Sequence, residues 1–116
     1  MNKIILSGRL ATDVTFSELP NERKTKKAQF TLAVDRTSGT APQKSDFFQC
    51  EVFNTLAETV AEYLHKGNKI IIEGTMNIDV VESMSNMGKI YKTYPKVRGN
   101  NIEFIDSKRK DDDENE

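Results

Sequence analysis

Between residues 46 and 81 the apolar residues change period twice, and this double switch constrains the fold more than any other feature of the chain. "DFFQCEVF" (46–53) alternates. Phe48, Cys50 and Val52 fall on one side and Phe47, Gln49, Glu51 and Phe53 on the other, the two-residue repeat of a strand. "NTLAETVAEYLHKG" (54–67) then sets Leu56, Val60, Tyr63 and Leu64, with Ala57 and Ala61, at helical spacing. Thr55 and Glu58 form a capping-box pair, and Gly67 behind His65 and Lys66 is a stop signal. "KIIIEGTMNIDVV" (69–81) restores strand character, with Gly74 inside it.

The flanking segments extend this pattern. "NKIILSGRL" (2–10) is a β-branched strand in which Gly8 predicts a bulge or sharp coil. "LPNERKTKK" (19–27) is a turn and exposed loop, and "TSGTAPQKS" (37–45) is a long loop. Between them, "AQFTLAVDR" (28–36) turns Phe30, Leu32 and Val34 one way and Gln29, Thr31 and Asp35 the other. "ESMSNMGK" (82–89) is a hairpin tip and "IYKTYPKVR" (90–98) the returning strand, where Pro95 marks an edge or bulge. "NIEFID" (101–106) is a last short strand. The expected fold is all-β with one helix: an OB-fold, a five-stranded Greek-key barrel with the helix between strands three and four. It occupies residues 1–106. Residues 107–116, "SKRKDDDENE", contain no apolar residue and are expected to form a disordered tail, basic and then acidic.

Several function classes drop out. The 116 residues suffice for one domain, and 36% hydrophobic content implies a thin core. No apolar run approaches the roughly 18 residues of a membrane helix. The N-terminus lacks the pattern of a secretory signal, so a cytoplasmic location with no membrane partner is expected. One His and one Cys cannot build a zinc site, so no metal and no cofactor are expected. His65 reads as a helix-dipole partner and Cys50 as a small core residue. With the carboxylates scattered singly, no catalytic set emerges and the chain is not expected to be an enzyme.

A binding role has more support. Phe47 and Phe53 stand on the polar side of their strand, where an aromatic ring has no core to enter. Lys92, Tyr94, Lys96 and Arg98 share one face of the returning strand, with Tyr91 on the other. Arg9 on the first strand adds charge, as do Lys26, Lys27, Arg36 and Lys44 around the two loops. Single-stranded nucleic acid asks for this combination: rings stack on bases at roughly 1–3 kcal/mol each while cations track phosphates. The helix carries Glu58 and Glu62, which does not suit a duplex-reading helix. An OB module that acts through protein contacts and an OB module that binds RNA remain alternatives.

The order of motifs resembles the bacterial single-stranded DNA-binding protein family. "MNKIILSGRLATDV", "FTLAVDR", "DFFQCEVFNTLAETVAEYLHKGNKIIIEG" and "GKIYKT" carry the resemblance through nearly all of residues 1–106. It implies an OB barrel, usually a homotetramer with a dimer as the alternative, that binds single-stranded DNA without sequence preference in replication, recombination and repair. It implies stacking on Phe47, at a position usually tryptophan, on Phe53, and on Tyr91 after the hairpin. Two family stacking positions, near Ser38 and Val81, are not aromatic here, which implies weaker stacking or a shorter footprint. Members usually end in a long linker with an acidic, hydrophobic-tipped segment that recruits replication and repair enzymes. Here "DDDENE" has no apolar residue, which argues against such recruitment and fits a compact member of the kind a phage or mobile element encodes.

Charge is split along the chain. Residues 1–110 hold seventeen basic and thirteen acidic residues, a net of +4, and residues 111–116 carry five acidic residues. An acidic tip on a basic body competes with DNA most strongly when salt is low. Deleting residues 111–116 is expected to tighten binding to oligo-dT at low salt and to change it little at high salt; equal affinity at low salt would rule the competition out.

Overall fold

The computed structural model describes residues 1–37 and 44–105; Ser38 and the expected tail lie outside them. The described chain runs β1 (Ile4–Leu10), β2 (Thr15–Glu18), β3 (Lys26–Asp35), β4 (Ser45–Phe53), α1 (Asn54–Tyr63), β5 (Lys69–Ser85) and β6 (Gly88–Phe104). The strands form one sheet in the order β1-β5-β6-β4-β3-β2, and a β1–β3 pairing closes it into a barrel. This is the OB architecture expected from the sequence, with six strands where five were expected. The extra strand, β2, is a four-residue edge with every side chain exposed, paired to β3 from Thr15↔Gln29 to Glu18↔Lys26. It has no buried face, so it leaves no periodic signal.

Alternation decides what fills the barrel. Phe30 and Leu32 of β3, Cys50 and Val52 of β4, Ile70 and Ile72 of β5 and Val97 of β6 are buried together with Leu10 and Ala28. Ala57, Val60 and Leu64 close one end from α1 and the residue that follows it. Tyr63, expected among these, is exposed instead.

The helix begins differently from the capping-box expectation. Its N-cap is Phe53, still extended at φ −131° and ψ 155°, with no side-chain cap bond. The turn out of β4 is made by Asn54 at φ 60°, a left-handed conformation that Asn tolerates better than most residues. Thr55 therefore lies inside the first turn, and its carbonyl accepts a bond from the Thr59 hydroxyl. The helix ends at Tyr63, so His65 stands beyond it and is not in its last turn. The His65–Asn68 turn is tied down from outside: Lys66 N–H donates to Asp13 at 2.9 Å and Gly67 N–H to the Leu10 carbonyl at 2.8 Å.

Two glycines make the closure possible. β1 pairs with β5 from Ile4↔Gly74 to Arg9↔Lys69, and with β3 at Arg9 and Leu10 alone. At Gly8 it crosses so close to β3 that an added Cβ would collide with the Ala33 carbonyl oxygen. A Cβ on Gly74 would likewise collide with the Arg98 carbonyl, at the register shift between β5 and β6. This shift is the only irregularity in that pairing. Pro95 faces Ile78 in unbroken register, so it marks no bulge, and residues 90–98 and 101–104 belong to one strand. The hairpin tip is also tighter than expected, since β5 continues to Ser85 and only Asn86 and Met87 turn. Beyond the barrel, β5 and β6 thus project as a two-stranded ribbon. Gly74→Ala and Gly8→Ala should each destabilise the protein by about 3 kcal/mol or more, the cost of overpacking against backbone that cannot yield. Urea unfolding measures this, and a loss under about 0.5 kcal/mol would contradict it.

Candidate nucleic-acid interface

The outer side of β4 is assembled from strand register. Across the β3–β4 ladder, Phe53 faces Lys27, Glu51 faces Gln29, Gln49 faces Thr31 and Phe47 faces Ala33. On its other edge β4 runs parallel to β6, which sets Arg98 beside Glu51. Alternation along β6 then brings Lys96, Tyr94 and Lys92 to the same side as Arg98. The unbroken ribbon register keeps that parity and leaves Tyr91 on the opposite face.

The two phenylalanines sit in different surroundings. Phe47 faces the small Ala33 across the ladder and is 64% exposed. Tyr94, 52% exposed, lines the same cleft of about 660 Å³ as Phe47, together with Gln29, Gln49, Asp79 and Lys96. Phe53 is half-buried, and the Arg98 guanidinium lies 4.3 Å from its ring centroid. Such a cation–π contact is worth about 0.5–1 kcal/mol near solvent and holds the guanidinium over the ring.

Several of the expected cations are engaged elsewhere. Lys26 turns away from Lys27 and pairs with Glu58 of α1 at 3.5 Å. Both it and Lys27 belong to β3, not to the preceding loop. Arg9 donates to the Gly67 carbonyl at 2.9 Å. The Arg36 guanidinium donates to Asp46 at 2.9 Å, and this hydrogen bond, followed by plain attraction, raises its pKa further. Lys44 is exposed, and its carbonyl accepts the Arg36 N–H. The structure therefore gathers Phe47, Phe53, Lys27, Tyr94, Lys96 and Arg98 on one face. Lys92 extends this face along the ribbon, while Lys26, Arg9 and Tyr91 stand apart from it.

Glu51 was missed by sequence reasoning. Alternation put it on the wet side, yet it is only 4% exposed. Lys27 lies 3.5 Å from one carboxylate oxygen and Lys96 3.8 Å from the other, while Lys96 also reaches Asp79 at 3.6 Å. No local pattern could have revealed this, because the burial comes from β6 lying against the edge of β4, some 45 residues later in the chain. On the core side of the same strand, burial pushes the Cys50 thiol up to about 12, which leaves it a neutral packing group. Among the described residues, no His, Cys, Asp and Glu side chains cluster to hold a metal, and no helix is long and apolar enough to cross a membrane.

A closed OB barrel with exposed rings and cations on one outer face defines a class of binding modules. Residues 1–105 match the single-strand binding protein family, and the chain belongs to that family. It is 35% identical to a "Single-stranded DNA-binding protein" of Onion yellows phytoplasma (strain OY-M), over 93% of this chain and 97% of that one. It is 37% identical to a protein of the same name from Thermotoga maritima, over 92% of this chain and 75% of the relative. Among solved structures, "Plasmodium falciparum SSB complex with ssDNA" superposes with a TM-score of 0.75 over 91% of this chain and 96% of that chain. At 21% identity, this likeness supports the fold.

Proposed function

We propose that this chain is a non-enzymatic protein that binds single-stranded DNA without sequence preference and serves replication, recombination and repair. One observation carries this: Phe47 and Tyr94 stand exposed in one cleft while a third ring, Phe53, lies beneath Arg98. Flat rings accept any base, and cations beside them take the phosphates. Phe47, Tyr94 and Phe53 act as the stacking platforms. Lys27, Lys92, Lys96 and Arg98 line the phosphate path, and Arg36 and Lys44 extend it at the start of β4. Tyr91 meets only a strand that wraps onto the far side of the ribbon. The names of the relatives agree with this assignment.

The chain works as a homo-oligomer. Among the described residues, β1 from Ile4 to Gly8 pairs on one edge only, with β5, and Ile5 is 60% exposed. An open strand edge carrying an exposed apolar residue is a pairing surface for a second copy.

Fluorescence titration with oligo-dT at several salt concentrations tests the binding assignment. The wild type should show a slope of about −0.7 in log K against log salt for each phosphate contact. Phe47→Ala with Phe53→Ala should lose at least about thirtyfold in affinity, since each stacked base contributes roughly 1–3 kcal/mol. Full affinity in the double variant would make the rings structural, and stronger binding to RNA of equal length would favour the RNA alternative. For the assembly, light scattering should return a multiple of the 13.2 kDa chain mass, and a monomeric mass at micromolar concentration would exclude it.

A further inference from the structure

Lys27, Glu51, Lys96 and Asp79 sit on β3, β4, β6 and β5, four strands adjacent in that order across the sheet. Their signs alternate, and successive charges are 3.5, 3.8 and 3.6 Å apart. Asp79 is an ordinary exposed carboxylate. Glu51 is the one charged side chain buried among the described residues, and its Oε1 accepts no hydrogen bond. Stability does not account for it. A buried ion pair is often matched or bettered by an apolar replacement of similar size, and the neighbours Cys50 and Val52 are already packed in the core.

The consequence lies on the binding face. Lys27 and Lys96 reach the nucleic acid already paired to an anion. A surface carboxylate could rotate away when a phosphate arrives, but Glu51 is enclosed between β3 and β6. A phosphate taken by either ammonium therefore sits roughly 6–7 Å from this carboxylate, within a Debye length at physiological salt. The pair also carries its own counterion, so phosphate contact there releases less salt than contact with a free lysine.

We propose that Glu51 limits affinity at the single-stranded DNA site: a fixed internal anion that competes with phosphate for Lys27 and Lys96 and shortens the residence of the bound strand. This rests on the single-strand binding assigned above to the same face. It explains why a buried carboxylate is held among the rings and cations of this surface.

The test is anisotropy of labelled oligo-dT with wild type, Glu51→Gln, Glu51→Val and Asp79→Asn over a range of salt concentrations, with dissociation rates and melting curves. Both Glu51 variants should bind about tenfold tighter at low salt, chiefly through slower dissociation. Their salt slopes should steepen by up to about 1.4, the value for two freed phosphate contacts. Asp79→Asn, an exposed change that leaves the core untouched, should tighten binding about two- to threefold. Unchanged or weaker binding by folded Glu51 variants would overturn the inference and make Glu51 a brace that holds the lysines in place. Should those variants fail to fold, an Asp79→Asn protein that binds no more tightly than wild type would overturn it. A wild type that does not bind oligo-dT would instead overturn the single-strand assignment itself.

Discussion

The barrel depends on one backbone crossing. β1 leaves its ladder with β5 and meets β3 at Arg9 and Leu10, passing the Ala33 carbonyl where residue 8 has no side chain. Without that approach the sheet stays open, and its two sides cannot be told apart as core and surface. With it, Phe30, Leu32, Cys50, Val52, Ile70, Ile72 and Val97 acquire an interior. The residues between them on β3, β4 and β6 then form one continuous outer face. The glycine thus shapes that face through topology, without placing a side chain on it.

On that outer face two kinds of interaction coexist, and their sizes differ. The ion pairs are numerous, but they lie mostly in reach of water, where such a pair contributes about 0–1 kcal/mol. Arg36 is matched to Asp46, and Lys27 and Lys96 to Glu51, so part of the positive charge is answered within the protein. A stacked base contributes roughly 1–3 kcal/mol and is not screened by salt in the same way. On the proposed binding face, rings would therefore be the larger source of affinity, and electrostatics would chiefly set rate and salt response.

Much of this was legible because β4 announces itself: the alternation in "DFFQCEVF" separated Cys50 and Val52, which are buried, from Phe47 and Gln49, which are exposed, while Phe48 and Phe53 are both half-buried. The ribbon face of Lys92, Tyr94, Lys96 and Arg98 was readable for the same reason. What escaped had non-local causes. The burial of Glu51 comes from β6, and the pairing of Lys26 with Glu58 depends on how α1 packs across β3. The helix starts where the sequence placed it, but its cap was misassigned, because Asn54 supplies the turn through its own left-handed backbone, which leaves Thr55 no capping role. β2 was invisible because nothing in it is buried. The family resemblance implies a stacking role for Tyr91, and the register sets Tyr91 on the ribbon face opposite Tyr94.

Cys50 has a practical consequence. It is the only thiol in the chain, it is packed inside the barrel, and burial keeps it protonated well beyond neutral pH. Maleimide dyes and spin labels react with exposed thiolates, so the native residue is silent toward them while the barrel is intact. A cysteine introduced at any exposed position is then the single reporter, with no background to remove. A pair of introduced cysteines, one on the ribbon and one on the barrel, then reports the distance between them in an otherwise unaltered protein.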